Sequence, residues 1–125
     1  LSLASIAMPH IAGYSTDSKL RGTAMAVAAF CRHFGLSSAW QPPVLPAPPA
    51  PVFSAEGCAD EEEAACRMFL HVYDIEADCA ALRARADEFE RLRGDYHLRR
   101  EIGSFCLAPG SPFADHLVGF GIQKG

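Results

Sequence analysis

The residues best suited to chemistry lie near the start of the chain, in the segment Met8 to Ser15. Within it, His10 follows Pro9 at the end of an apolar run. A histidine titrates near neutral pH, so its ring can accept a proton from a bound hydroxyl group and return it. Gly13 lets a ligand come close to the backbone, and Tyr14 adds a hydroxyl group beside it. This pattern indicates acid–base chemistry on an alcohol.

Two elements are predicted to position this segment, a short strand over residues 1–8 and a long helix that follows. Ser15 is a suitable N-cap for the helix, and Asp17 in its first turn favours the positive end of the helix dipole. Apolar residues recur at steps of three and four up to Phe34, and Gly35 is predicted to end the helix. The spacing predicts one buried stripe, made of Leu20, Ala24, Val27, Ala28, Cys31 and Phe34.

The composition changes sharply at residues 41–51, QPPVLPAPPAP, which hold six of the nine prolines. Such a segment favours extended polyproline geometry and is excluded from the interior of a helix or sheet. It contains a PxxP pattern, which ligands of proline-recognition modules use, but a semi-rigid spacer is the favoured interpretation. The chain is thus predicted to consist of residues 1–36, a linker over 37–51 and a second unit over 52–125.

The second unit is predicted to alternate helices and short strands, as a small α/β or α+β layer does. Helices are predicted from Asp60 to about Tyr73, over 78–85 and 87–93, and from Ser111 to about Val118. Strands are predicted at Val52–Ala55, Ile102–Leu107 and Phe120–Ile122, with a turn at Pro109–Gly110. Four apolar side chains are expected to be buried against a second copy of the chain: Phe69, Val72, Tyr73 and Phe105.

The overall composition excludes several classes of function. The net charge of −4 and the pI near 5.7 argue against a nucleic-acid or membrane-surface protein, both of which usually need a basic face. No apolar stretch is long enough to span a bilayer, and residues 1–8 make a poor signal peptide, so a cytoplasmic location is expected. The five cysteines include no CxxC pair, which favours reduced thiols over a metal site.

Several segments of the chain, around His10 and in the second unit, resemble segments of a known enzyme family. The segment PHIAGYS, residues 9–15, resembles the histidine motif of the D-2-hydroxyacid dehydrogenases, and DSKLRGT, residues 17–23, is similar to the erythronate-4-phosphate dehydrogenase family within them. The segments HVYD (71–74), FERLR (89–93) and YHLRRE (96–101) resemble the carboxy-terminal dimerisation domain of that family. The resemblance implies an α/β fold, in which the end of a Rossmann-type catalytic region (strand, histidine loop and long helix) is followed by a small α/β dimerisation domain.

The resemblance also implies an activity, the NAD-dependent oxidation of 4-phospho-D-erythronate during vitamin B6 synthesis by a homodimer. It makes His10 the proton donor and acceptor, Gly13 a backbone contact of NAD, and Tyr14 a ligand of the phosphorylated hydroxy acid. Arg99 either reaches the substrate phosphate or forms a surface or interface ion pair, and both alternatives stay open.

The sequence also departs from the family pattern. It contains no GxGxxG fingerprint, and the arginine and the carboxylate that complete the family's active site belong upstream of the histidine motif. The chain is therefore interpreted as a fragment that is inactive alone. The alternative is a non-catalytic module for dimerisation or ligand sensing, in which His10 is structural. A thiol- or metal-dependent protein is a third possibility.

Overall fold

The computed structural model describes residues 3–38, 40–97 and 99–125. Within these ranges five α-helices and two short strands follow one another in a mixed α/β order. The elements are α1 (Thr16–Phe34), β1 (Val52–Phe53), α2 (Glu61–Val72), α3 (Ile75–Ala84), α4 (Phe89–Gly94), β2 (Cys106–Leu107) and α5 (Ala114–Val118). Short 3₁₀ turns at Ala86–Glu88 and Ile102–Ser104 precede α4 and β2.

The two strands form a parallel pair, and helices α2 to α4 make the crossover between them. Val52 pairs with Cys106, and Phe53 pairs with Leu107. Parallel strands need such a long connection, which explains why three helices separate two strands of two residues each. On the other side of β2, Gln123 adds a single parallel bridge to Cys106.

The core lies between this strand pair, α2 and α5. Met68 and Leu117 are completely buried, and Leu107 and Ile122 are 2% exposed. The other buried members are Phe53, Ala55, Ala64, Ala65 and Phe105. Burying a large apolar side chain contributes about 1.5–3 kcal/mol, so this cluster is what holds the second unit together.

The predicted helix ends are largely confirmed. Each depends on hydrogen bonds within one turn of the helix, which a short stretch of sequence is sufficient to predict. The side chain of Ser15 accepts from the amide of Ser18 at 3.0 Å, and that of Asp60 accepts from Glu63 at 2.8 Å. Gly35 ends α1 in the left-handed conformation at φ 63°, as predicted. The third helix starts three residues earlier than predicted, because Asp74 caps it at Ile75.

The strand predictions were less accurate. Residues 3–8 of the strand predicted over 1–8 are irregular, while residues 1 and 2 lie outside the described residues. A strand forms only where a partner supplies its hydrogen bonds, and the described chain places none beside this segment. The strand predicted at Phe120–Ile122 is also wrong, because residues 120 and 121 form a turn after α5.

Two other elements differ from their predictions. Only Cys106 and Leu107 of the segment predicted as a strand over Ile102–Leu107 are extended, since its first half is a 3₁₀ turn. Ser111 does not cap α5, because its hydroxyl accepts from the amide of Ala55 at 2.9 Å inside the core. The helix therefore starts at Ala114.

Helix α1 has no buried residue. Of the predicted stripe, Leu20, Ala24, Val27 and Cys31 are half-buried, whereas Ala28 and Phe34 are exposed. The prediction of a buried stripe is therefore wrong within the described chain, although four of its six residues lie on the partly buried side of the helix. None of the described helices is long and apolar enough to cross a membrane.

Candidate functional site

The segment Met8–Ser15, called the histidine loop below, is a tight turn on the surface. The amide of His10 donates to the carbonyl of Met8 at 2.8 Å, and that of Tyr14 donates to Ile11 at 2.9 Å. Ile11 is completely buried and anchors the loop, while the neighbouring His10 is exposed. His10 has a φ of 59°, in the left-handed region that a non-glycine residue occupies at a cost. The loop thus presents the imidazole ring outward.

Arg99 is packed beneath this loop and is 9% exposed. Its Nη2 donates to the carbonyls of Ile11 at 3.2 Å and Ala12 at 2.8 Å. Its guanidinium carbon lies 4.1 Å from the centre of the Tyr73 ring, a cation–π contact. The structure thus brings Arg99 together with the predicted site, through the backbone of the loop. Its predicted contact with a substrate phosphate stays a prediction.

Glu101 holds the junction between the loop and α1. Its Oε1 accepts from the hydroxyl of Ser15, which is 1% exposed, and from that of Ser18 at 2.9 Å. These two hydrogen bonds lower the pKa of the Glu101 carboxyl below its usual value. The backbone adds a parallel bridge between Ser15 and Arg99, in which the amide of Thr16 donates to the Arg99 carbonyl at 2.8 Å.

Asp17 and Arg100 form a third contact between the start of α1 and residues 99–101, after those made by Arg99 and Glu101. The Asp17 carboxylate accepts from Arg100 Nε at 2.9 Å and Nη2 at 3.1 Å, and from the amide of Glu101 at 2.9 Å. Partial burial would raise the pKa of Asp17, but these hydrogen bonds and the Arg100 charge lower it. Arg100 Nη1 also donates to the Pro46 carbonyl. The segment Arg99–Glu101, called the RRE segment below, therefore fixes both the histidine loop and the start of α1.

Gly13 and Tyr14 lie on the open side of the loop. Gly13 is exposed, and a Cβ atom built on it would meet no atom within 4 Å, so its backbone is open to a ligand. The half-buried ring of Tyr14 makes an edge contact with Tyr96 at 6.4 Å between centroids. The three predicted residues His10, Gly13 and Tyr14 therefore share one loop.

A surface cleft of about 320 Å³ adjoins this loop at Pro9. Tyr96 lines it, and the Tyr96 hydroxyl donates to Asp78 Oδ2 at 2.6 Å. Burial and this hydrogen bond raise the pKa of Tyr96, which keeps the phenol protonated. Also in the cleft are Ala81, Arg85, Arg91, Leu92, Asp95 and His97. Sequence reasoning did not assign Tyr96 or Asp78 to the site.

The described residues offer little for a metal or a dinucleotide. They contain no group of three histidine, cysteine or acidic side chains that could hold a metal ion. The backbone of Gly13 fits a contact with NAD, but within the described ranges no glycine-rich turn joins a strand to a helix, the arrangement that binds a pyrophosphate. These residues do not form a dinucleotide site by themselves.

Sequence reasoning missed the connection between the loop and the RRE segment. Asp17 was assigned only to the helix dipole, and Arg100 and Glu101 only to a resemblance. A signal existed, because the charges of Arg100 and Glu101 complement the carboxylate of Asp17 and the hydroxyl groups of Ser15 and Ser18 at the start of α1. Nothing in the spacing, however, pairs residues more than 80 positions apart.

Comparisons with known proteins agree with the resemblance. Three similar proteins are named erythronate-4-phosphate dehydrogenase: 43% identity over 102 residues in Bacteroides thetaiotaomicron, 42% over 110 in Marinobacter nauticus and 39% over 111 in Yersinia enterocolitica. These matches cover 82%, 79% and 86% of this chain but only 27%, 28% and 29% of the relatives. The chain thus spans less than a third of the length of the relatives it matches.

A family match covers most of the predicted second unit. Residues 44–118 match the family described as "Domain of unknown function (DUF3410)". This range contains the RRE segment and starts inside the proline-rich stretch, whereas the histidine loop lies outside it. The predicted resemblance is confirmed, and the chain belongs to the DUF3410 family.

Proposed function

We propose that this chain supplies the catalytic histidine and the dimerisation module of an NAD-dependent dehydrogenase. The reaction is the oxidation of 4-phospho-D-erythronate to 2-oxo-3-hydroxy-4-phosphobutanoate in pyridoxal 5′-phosphate synthesis. The observation that carries the proposal is the outward-facing His10 on a loop fixed by the RRE segment, in a chain with relatives of 39–43% identity that carry this enzyme's name.

His10 is proposed to move the proton of the reaction. Oxidation of a secondary alcohol removes a hydride from carbon and a proton from the hydroxyl group, and the neutral imidazole accepts that proton. The reverse reaction returns it. The hydride acceptor is NAD, which needs a nucleotide-binding domain that the described residues do not provide.

Tyr14 and Gly13 are proposed to orient the ligands around His10. Tyr14 contacts the phosphorylated hydroxy acid, and the open backbone of Gly13 contacts the cofactor. The carboxylate that would orient the imidazole in this family is absent from the chain, so the isolated 125 residues are proposed to have no meaningful turnover.

The enzyme is proposed to work as a homodimer. Exposed apolar side chains on α2, on α5 and in the turn after α5 support this, since Phe69 is 46% exposed, Leu70 42%, Val118 37% and Phe120 43%. The ring centroids of Phe69 and Phe120 lie 5.3 Å apart in an edge contact, so these two rings share one apolar patch. Exposed apolar patches of this kind commonly mark protein–protein contacts.

A chimera tests the catalytic proposal. The matched region of the Marinobacter nauticus relative is replaced by this chain, and NAD-dependent oxidation of 4-phospho-D-erythronate is measured. We expect turnover in the chimera and a loss of about 10²- to 10⁴-fold in kcat for His10→Asn, the usual contribution of a general acid–base.

The matched control is His33→Asn, which changes an exposed histidine at the end of α1. It should leave kcat unchanged. Equal activity of His10→Asn and His33→Asn would show that His10 does not transfer the proton, and would favour the non-catalytic module. Robust turnover by the isolated chain would contradict the proposal that it is inactive alone.

A further inference from the structure

The guanidinium of Arg99 contacts the histidine loop at the two residues that follow His10. Its Nη2 donates to two consecutive carbonyls, those of Ile11 at 3.2 Å and Ala12 at 2.8 Å. His10 itself has a φ of 59°, a left-handed conformation that a non-glycine residue keeps only where the surrounding structure determines it. Arg99 therefore fixes the backbone immediately after the one residue of the loop whose conformation needs support.

The charge of Arg99 is directed to this loop and not to an acidic side chain. The ion pairs among the described residues do not include Arg99, which is 9% exposed. Removing a guanidinium from water costs free energy unless polar or aromatic groups compensate for the lost hydration. Here the compensation comes from the two loop carbonyls and from the ring of Tyr73, so the burial of Arg99 depends on the loop being in place.

Two tyrosines of the second unit set the position of this guanidinium. Its central carbon lies 4.1 Å from the ring centroid of Tyr73 and 6.0 Å from that of Tyr96. Tyr96 is anchored in turn, because its hydroxyl donates to Asp78 Oδ2 at 2.6 Å. Burial and a hydrogen bond to Asp78 also raise the pKa of Tyr73, so this phenol too stays protonated. A chain of contacts thus leads from Asp78 on α3, through two aromatic rings, to Arg99 and the loop.

We propose that Arg99 is a positioning residue for His10, which it holds in the conformation that presents the imidazole ring, while Tyr73 and Tyr96 hold Arg99. The proton transfer by His10 rests on the function proposed above, whereas the positioning of the loop rests on these contacts alone. The second unit therefore does more than form a dimer, because it supplies the donor that completes the histidine loop.

This role differs from a contact with the substrate phosphate in what a substitution changes. Loss of a phosphate contact raises KM, and lysine replaces arginine in part there because its positive charge also binds phosphate. Loss of a positioning contact lowers kcat, because the catalytic group is misplaced. Lysine does not replace arginine in that role, since it lacks the planar group that donates to carbonyls while it stacks on an aromatic ring.

The isotope-labelled 125-residue chain tests the positioning without substrate. The three-bond HN–Hα coupling of His10 reports its φ, and exchange of the Tyr14 amide, bonded to Ile11 at 2.9 Å, reports opening of the loop. In Arg99→Met we expect the coupling to change to that of an averaged backbone and the Tyr14 protection to fall about tenfold, as for loss of one hydrogen bond to a charged group. Tyr73→Leu should cause a smaller change of the same kind.

The matched control is Arg67→Met, which removes an arginine whose side chain is 49% exposed on α2. It should leave both readouts unchanged. The amides of Cys106 and Leu107 report the core, and Arg99→Lys carries the test if Arg99→Met lowers their protection as well. An unchanged His10 coupling in both Arg99 variants would overturn the inference.

The chimera supplies the kinetic readout. We expect kcat to fall about 10²-fold in Arg99→Met and in Arg99→Lys, as for a misplaced catalytic group, with little change in KM. A rise in KM for 4-phospho-D-erythronate that Arg99→Lys reverses, with an unchanged His10 coupling, would assign Arg99 to the phosphate and overturn the inference.

Comparison with His10→Asn separates this inference from the proposed function. An altered His10 coupling with kcat unchanged in the Arg99 variants, but lost in His10→Asn, would show that the positioning has no role in the reaction and overturn the inference. An altered coupling with kcat unchanged in the Arg99 variants and in His10→Asn alike would support the positioning of the loop and contradict the proposed function.

Discussion

Replacing Asp17 by asparagine should loosen the start of α1 without unfolding the core. The Asp17 carboxylate accepts three hydrogen bonds, two from Arg100 and one from the Glu101 amide. Its side chain is 19% exposed and that of Arg100 is 14% exposed, so water screens the pair only in part. Asparagine has nearly the same shape but one acceptor oxygen and no charge. It therefore loses the paired contact with Arg100 and the attraction of the helix dipole.

The magnitude follows from these contacts. A hydrogen bond to a charged group contributes about 1.5–3 kcal/mol. An asparagine with its oxygen in the Oδ2 position keeps the contacts with Arg100 Nε and the Glu101 amide and loses the contact with Arg100 Nη2, together with the charge. Arg100 also keeps its bond to the Pro46 carbonyl, so its charge is not left without a partner. We expect a net loss of about 2 kcal/mol in the free energy of local opening, which corresponds to about a thirtyfold change in an equilibrium constant.

Amide hydrogen exchange measures this opening. The amides of Thr16, bonded to Arg99, and Lys19, bonded to Ser15, should lose about thirtyfold in protection, while those of Cys106 and Leu107 in the core should not change. Asp115→Asn is the matched control, because Asp115 is also the second residue of its helix but is 98% exposed. An effect of Asp115→Asn on α5 as large as that of Asp17→Asn on α1 would refute the reasoning, as would equal loss of protection in the core.

The same contacts predict a pH dependence of the wild-type chain. The pKa values of Asp17 and Glu101 are lowered in the folded protein, from ordinary values of 3.8 and 4.5. Their contribution to stability is therefore complete above those values and is lost as the pH falls through the lower, folded values. Protection factors at Thr16 should fall in acid, and the difference between the wild type and Asp17→Asn should vanish there.

Three further changes test the core and the oligomeric state. Met68→Ala removes a completely buried side chain and should reduce the free energy of unfolding by about 2–5 kcal/mol, measured by urea denaturation. Ser111→Ala leaves the buried amide of Ala55 without its acceptor and should cost about 1–3 kcal/mol in the same assay. Light scattering should show a dimer that Phe69→Glu converts to a monomer without unfolding, and a monomeric wild-type chain would contradict the proposed homodimer.

Sequence reasoning succeeded where structure depends on neighbouring residues. The caps at Ser15 and Asp60 and the stop at Gly35 are set within a turn of each helix, so a short stretch of sequence is sufficient to predict them. The presence of α2 follows from its apolar periodicity in the same way. For the candidate site, the grouping of His10 with Gly13 and Tyr14 required only that they share one loop.

Sequence reasoning failed where the structure of a segment depends on a partner that is distant in the sequence. Ser111 has the chemistry of an N-cap, but its hydroxyl bonds instead to Ala55, which is 56 residues away. The segment 102–107 is rich in strand-forming residues, yet only the part opposite Val52 and Phe53 is extended. The hydrogen bonds from Arg99 to the carbonyls of Ile11 and Ala12 could not be foreseen either, because they join residues more than 80 positions apart, and the phosphate contact assigned to Arg99 stays a prediction.

The proline-rich segment lies against both α1 and the RRE segment. Pro42 shares a cleft with Leu20 and Ala24 of α1, and Pro46 shares one with Thr16 and Arg100. The polyproline rise of about 3.1 Å per residue makes Pro42 to Pro46 about 12 Å long, which matches the eight helical steps of about 1.5 Å from Ala24 back to Thr16. The segment therefore runs antiparallel along the first turns of α1, and its Pro46 carbonyl accepts from Arg100 Nη1 of the RRE segment. The linker thus contacts the same segment whose Arg99 donates to the carbonyls of the histidine loop.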